Sequence, residues 1–295
     1  MKILVISELA ARFPQLCIKP EKGASQSEIY RRIVRKGESF LGDLSHFICS
    51  NEDNFTVAET PAGKVEVVFL KNRADFECFY RIMAAKCEPV PILRTVGAAY
   101  IGGINDWSKI HAHLAEYEQN GGTDSSGEFA RFTADKCNYK TSIILLSDGF
   151  YSNLNCENTP FPEEQWQKIS LDIRKYHELT HFVCRSFFPT KINAVWDEIL
   201  ADFYGLLCAA GSYDSALALK FLGIFDAKYT GGRLEHYVEA PITSELVGEI
   251  VELCALLEEF VPEKFDRDED NFSTVISIQK RSEDFLEKFK FIKTT

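Results

Sequence analysis

His177-Glu178-Leu179-Thr180-His181 places two imidazoles four residues apart with a carboxylate between them. On a helix, residues four apart lie on one face, so both rings can converge on one ion. Glu178, one step round, can then reach a water held in an open coordination position. This His-Glu-x-x-His spacing suits a catalytic zinc, provided the stretch is helical. The flanking residues supply that helix. From Phe161 to Phe188 the chain reads as one long helix, with Pro162 at its first position, Glu163 and Glu164 in the acid-favouring first turn, and Pro189 as the stop. Trp166, Ile169, Ile173, Tyr176 and Val183 recur at steps of three, four or seven and form an apolar stripe for a core.

A zinc site of this kind needs a third protein ligand. Beyond Pro189 a second helix is predicted, with Asn193 as N-cap and Gly211 as stop. Glu198 and Asp202 share one face of it, and Gly205 continues that face with no side chain to hold a neighbouring helix away. His181 lies roughly 10 Å before the end of the first helix and Glu198 roughly 7 Å into the second, at about 1.5 Å per residue. Two antiparallel helices would bring them to similar heights. Glu198 then completes a His2Glu set, and Asp202 can accept the free ring N–H of a histidine ligand and fix its tautomer. Asp202 or Asp197 as third ligand is the minor option. A metzincin extension is ruled out, because Cys184 and Phe187 stand where Gly and His are required.

The pattern His177-Glu178-x-x-His181 followed by Glu198-x-x-x-Asp202-x-x-Gly205 resembles the gluzincin metallopeptidases, the thermolysin-like clan. The match covers about thirty positions, and the interval from His181 to Glu198 is shorter than in thermolysin. The resemblance implies Zn²⁺ on His177, His181 and Glu198, Glu178 as general base, Asp202 behind a histidine ligand, and a peptide or protein substrate. Such enzymes add an oxyanion donor. Tyr229, Arg233, His236 and Tyr237 are the candidates here, with His236 and Tyr237 placed first. The resemblance also implies a sheet edge strand before the zinc helix that pairs with an extended substrate. Thr141–Ser147 fits that strand, and Ser147–Asn153 the rim of a cleft. The rival reading is a non-catalytic, zinc-stabilised binding or regulatory protein. Intact Glu178 and the want of a fourth protein ligand both argue against it.

Composition narrows the classes further. With 45% hydrophobic and 26% charged residues, the chain suits a globular protein large enough for a substantial core. A net charge of −11 disfavours nucleic acid and anionic membrane as partners. No apolar run approaches a transmembrane span. Nine cysteines, with no Cys-x-x-Cys pair, predict reduced thiols and a cytoplasmic protein. Cys78, Cys208 and Cys254 are read as core residues.

The predicted fold class is α+β. A mixed α/β part over residues 1–158 is followed by a mainly helical part over 159–295 that carries the zinc site, with the active-site cleft between them. Strands are predicted at Lys2–Ser7, Thr56–Glu59, Lys64–Leu70, Val90–Thr95 and Thr141–Ser147. Helices are predicted near Gln26–Lys36, Asp75–Lys86, Asn105–Gln119, Tyr213–Phe225, Ser244–Phe260 and Phe272–Phe289. Gly97–Gly103 is read as a turn and Gly121–Gly127 as a connecting loop. His111 and His113, two apart on a helix, do not face one another and are read as surface residues.

Overall fold

The computed structural model describes residues 5–190 and 193–293. Its main sheet has four strands, β1 (Asn54–Thr60), β2 (Gly63–Leu70), β3 (Ala98–Asn105) and β4 (Lys140–Ser147), in the order β1-β2-β4-β3. β1 and β2 form the expected hairpin through Pro61-Ala62. β2 and β4 run parallel, with Val67 opposite Ile144 and Phe69 opposite Leu146. The class is α+β, as expected. β4, however, is an inner strand with a neighbour on each side, so it offers no free edge for strand addition. Its sequence explains this. Ile143, Ile144, Leu145 and Leu146 are all buried, the continuous apolar run of a strand covered on both faces.

Around the strands the chain forms α1 (Val5–Arg12), α2 (Arg73–Met83), α3 (Trp107–Gln119) and α4 (Ser125–Ala134). Then follow α5 (Glu163–Phe187), α6 (Ala194–Ala210), α7 (Ser215–Phe221), α8 (Ser244–Leu257) and α9 (Ser273–Lys280). Several expectations are corrected. Val5–Ser7 is helical, because Ile6, Leu9, Ala10 and Phe13 recur at helical spacing and are buried; Lys2–Leu4 lie outside the described residues. Val90–Thr95 is not a strand. The glycine-containing segment read as a turn is instead β3. The loop from Gly121 ends at Asp124, whose carboxylate caps α4 by accepting from Gly127 N at 2.8 Å. Residues near Gln26–Lys36 form a single turn of α-helix followed by a π-helical turn at Arg31–Arg35.

Contacts divide the chain into two units. The first comprises the described residues up to Val57, Val65–Ile92 and Ile101–Ser147. Within it Arg12 binds both Glu66 and Asp106, a part-buried ion cluster that ties α1 to β2 and to the start of α3. The second comprises Ala58–Lys64, Leu93–Tyr100 and the described residues from Asp148 onward. The principal change of unit thus falls after Ser147, beside a sequence-based division after residue 158. The second unit has its own core, with Trp166, Ile173, Val183, Trp196, Phe203, Leu207, Phe221 and Ile250 almost completely buried. At roughly 1.5–3 kcal/mol per large apolar side chain, that core sets the α5–α6 pair. Among the described residues no helix is long and apolar enough to cross a membrane.

Candidate metal centre

α5 and α6 form where the sequence places them. Pro162 precedes the first turn of α5, Glu163 and Glu164 occupy that turn, and the helix ends at Phe187 before Pro189. Asn193 caps α6, its Oδ1 accepting from Trp196 N at 2.9 Å, and Gly211 ends it in the left-handed region at φ 73°. Gly205 is the point of closest approach. A Cβ there would lie 3.0 Å from the Ile173 carbonyl oxygen and 3.3 Å from His177 N, so the two backbones meet directly beside the first histidine.

That contact brings His177, His181 and Glu198 together as a possible metal-binding cluster. The two Nε2 atoms are 3.1 Å apart. Glu198 Oε2 is 3.4 Å from His177 Nε2, and Glu198 Oε1 is 3.3 Å from His181 Nε2. Ligand atoms at about 2.0–2.1 Å from a tetrahedral zinc would stand about 3.3–3.4 Å from one another, so the donor set fits the ion in type and in spacing. Asp202 lies on the far side of the first ring, its Oδ1 2.9 Å from His177 Nδ1. It therefore fixes Nδ1–H and leaves the Nε2 lone pair toward the cluster. Neither Asp202 nor Asp197 belongs to the cluster.

Two residues from outside the helices complete this layer. The Tyr151 hydroxyl donates to Asp202 Oδ1 at 2.5 Å and lies 2.9 Å from His177 Nδ1. Arg233 donates to the Tyr151 hydroxyl at 2.7 Å, to Ser152 Oγ at 3.0 Å, to both oxygens of Asp202 at 3.0 and 3.1 Å, and to Glu198 Oε2 at 3.2 Å. Tyr151 is aimed by its own turn. Ser170 Oγ on α5 accepts from Tyr151 N at 2.9 Å, and Arg174 donates to the carbonyls of Gly149 and Phe150 at 2.5 and 2.8 Å. Ser152 and Asn153 follow at φ 50° and 57°, two successive non-glycine residues in the left-handed region, a strained choice that clusters at functional sites. Gly97 closes against the same arginine; a Cβ there would stand 2.4 Å from Arg174 Nε.

The electrostatics favour a cation. Burial opposes charge on His177, yet Asp202 and Glu198 outweigh it and lift the ring to about 10. Burial also opposes ionisation of Glu198, but hydrogen bonds from His177 and His181 hold it well below the usual carboxylate range. Asp202 is likewise held low against burial, chiefly by Arg233. Glu198 and Asp202 thus set two carboxylates about the histidine pair, a setting that draws positive charge to the rings' side of the cluster.

Glu178 is 8% exposed, and no described residue hydrogen-bonds its carboxylate. Tyr237 is half-buried, and its ionisation is raised by burial, with Glu198 and Asp202 adding to that and Arg233 opposing it. The Arg233 guanidinium carbon lies 5.9 Å from the centre of its ring, which places Tyr237 near the cluster. His236 is exposed, its ring 6.4 Å from that of Tyr237, and no hydrogen bond joins it to the cluster among the described residues. Tyr229 is engaged within its own turn, with Gly232 O and Glu235. Tyr151 had no helical or motif signal in the sequence. Arg233 stood there only as one donor among four.

The profile of a family of unknown function, DUF7005, matches residues 2–287. The chain belongs to this family. Comparison with curated proteins gives no match, and comparison with solved structures gives none. Membership of DUF7005 brings no chemistry with it, so the cluster has to be judged on its own atoms.

Proposed function

We propose that this DUF7005 protein is a zinc-dependent peptidase of gluzincin type. The observation that carries the reading is the trio of separations among His177 Nε2, His181 Nε2 and Glu198, together with a buried, unpartnered Glu178 next to the first ligand. Zinc, when bound, lowers the pKa of a water and polarises a carbonyl. Glu178 takes the water's proton and later delivers it to the leaving nitrogen. Asp202 holds Nδ1–H of His177, and Arg233 holds Asp202 and Glu198 in register. Tyr237, half-buried and next to Arg233, is the better candidate for stabilising the oxyanion; exposed His236 is the weaker one.

A second reading has one observation in its favour. β4 is inside the sheet, so a familiar way of holding an extended peptide is absent there. A non-catalytic zinc-stabilised binding or regulatory protein would not need it. Digestion of a peptide library, read by mass spectrometry, separates the two. Zinc-dependent cleavage by the wild type is expected, with Glu178→Gln slower by at least about 10²- to 10⁴-fold while keeping its metal. Equal cleavage by Glu178→Gln would remove the mechanism, and no cleavage by zinc-loaded wild type would favour the non-catalytic reading.

A further inference from the structure

Three polar atoms meet behind the first metal ligand. The Tyr151 hydroxyl oxygen stands 2.5 Å from Asp202 Oδ1 and 2.9 Å from His177 Nδ1, and those two are themselves 2.9 Å apart. Every side of this triangle is a hydrogen-bonding distance. Where its phenolic and imidazole protons lie therefore decides what the ring can do. A neutral ring whose Nδ1 accepts the phenolic proton carries its own proton on Nε2, and that nitrogen cannot then bind a cation. A ring whose Nδ1 donates keeps the Nε2 lone pair for the metal.

The surroundings select the second arrangement. Arg233 can only donate, and it donates to the phenol oxygen at 2.7 Å. That leaves the phenol one lone pair and its own O–H. The Asp202 carboxylate can only accept, and an O–H···O⁻ bond at 2.5 Å is of the strong, charge-assisted kind. The phenolic proton therefore goes to Asp202, and the remaining lone pair is left for Nδ1–H of His177. Asp202 Oδ1, at the same 2.9 Å, shares that N–H.

The phenol is firmly held in this place. Tyr151 is 4% exposed, its ring packs edge-on against Phe221 with centroids 4.8 Å apart, and the Arg233 guanidinium carbon lies 5.2 Å from its ring centre. Its turn is tied to α5 through Ser170 and runs on through left-handed Ser152 and Asn153. A tyrosine that merely filled this core would need one partner for its hydroxyl; this one has Asp202, Arg233 and His177. We infer that Tyr151 is a positioning residue of the metal centre. Its phenol holds the Asp202 carboxylate and, as a second acceptor for Nδ1–H, keeps His177 in the tautomer that presents Nε2 to the metal. The inference rests on the reading of His177, His181 and Glu198 as a zinc site, and not on whether that site hydrolyses a peptide bond.

Zinc titration of the full-length protein against a chromophoric chelator tests the assignment. Tyr151→Phe keeps the ring against Phe221 and removes only the hydroxyl, so zinc binding should weaken by about 10- to 100-fold. In the Asp202→Asn background the same change should cost less than about threefold, because the two residues act as one unit. A merely structural tyrosine would cost the same in both backgrounds. If Tyr151→Phe does not fold, the wild type alone supplies the readout. In zinc-loaded protein with isotope-labelled histidine, a slowly exchanging ring N–H should show a nuclear Overhauser effect to tyrosine ring protons, and ring-deuterated tyrosine should abolish it. Unchanged zinc affinity in Tyr151→Phe, equal losses in both backgrounds, or no such ring N–H in the wild type would each overturn this inference alone. A wild type that binds no zinc would overturn it together with the zinc reading.

Discussion

Arg233→Met is the perturbation most directly weighed by the structure. The guanidinium donates to Tyr151, Ser152, Glu198 and both oxygens of Asp202, and the Asp202 side chain is only 2% exposed. Methionine fills similar volume but leaves two buried carboxylates without their cation. Each charged hydrogen bond taken alone contributes about 1.5–3 kcal/mol, but bonds from one group are not additive. Breaking a buried ion pair on one side costs about 3–5 kcal/mol, and that is the expected loss for the metal-free protein. Adding Asp202→Asn to Arg233→Met removes one of the stranded charges, so the pair should couple by about 0.5–3 kcal/mol in the recovering direction. Urea unfolding in chelator, followed by the fluorescence of buried Trp166 and Trp196, measures both quantities in the second unit. A loss below about 1 kcal/mol, the scale of an exposed ion pair, would refute the claim that Arg233 neutralises this site.

Other outcomes follow from the same geometry. Glu198→Ala should lose most of its bound zinc by metal analysis; retention of wild-type affinity there, with loss in Asp202→Ala, would reverse the ligand assignment. Asp202→Asn should weaken zinc binding by about 10- to 100-fold without removing a ligand, as read by competition with a chromophoric chelator; unchanged affinity would leave Asp202 without the tautomer-fixing role. Gly205→Ala places a methyl against the α5 backbone, so a destabilisation of about 1–3 kcal/mol is expected, with weaker zinc binding as α5 and α6 part. A fully stable Gly205→Ala with normal metal affinity would show that the helix spacing is not set there.

The metal cluster was legible because everything that makes it is local. Pro162, Asn193 and Gly211 punctuate two helices, and i, i+4 spacing places the ligands on facing sides. Buried Cys78, Cys208 and Cys254 were readable from their apolar neighbours. Tyr151 was not legible, since its place depends on a turn held by Ser170 and Arg174 and on two left-handed residues that carry no glycine. Arg233 reached the site from a turn after α7 that no periodicity describes. β3 was masked by its own glycines, although Ile101 and Ile104 are buried. α1 was mistaken for a strand because Val5-Ile6 continues the apolar run from Ile3, hiding the helical spacing of Ile6, Leu9 and Phe13.

The position of Gly97 against Arg174 has a consequence for how the chain is made. Leu93–Tyr100 belongs with residues that follow Asp148, so this segment leaves the ribosome well before the helix it packs on. At roughly 5–20 residues per second, Arg174 is joined to the chain on the order of 4–15 s after Gly97. During that interval Leu93–Tyr100 has no helix to receive it. The second unit therefore cannot be released as a simple carboxy-terminal fragment: a chain begun at Asp148 would contain His177, His181 and Glu198 but lack the strip that packs on Arg174.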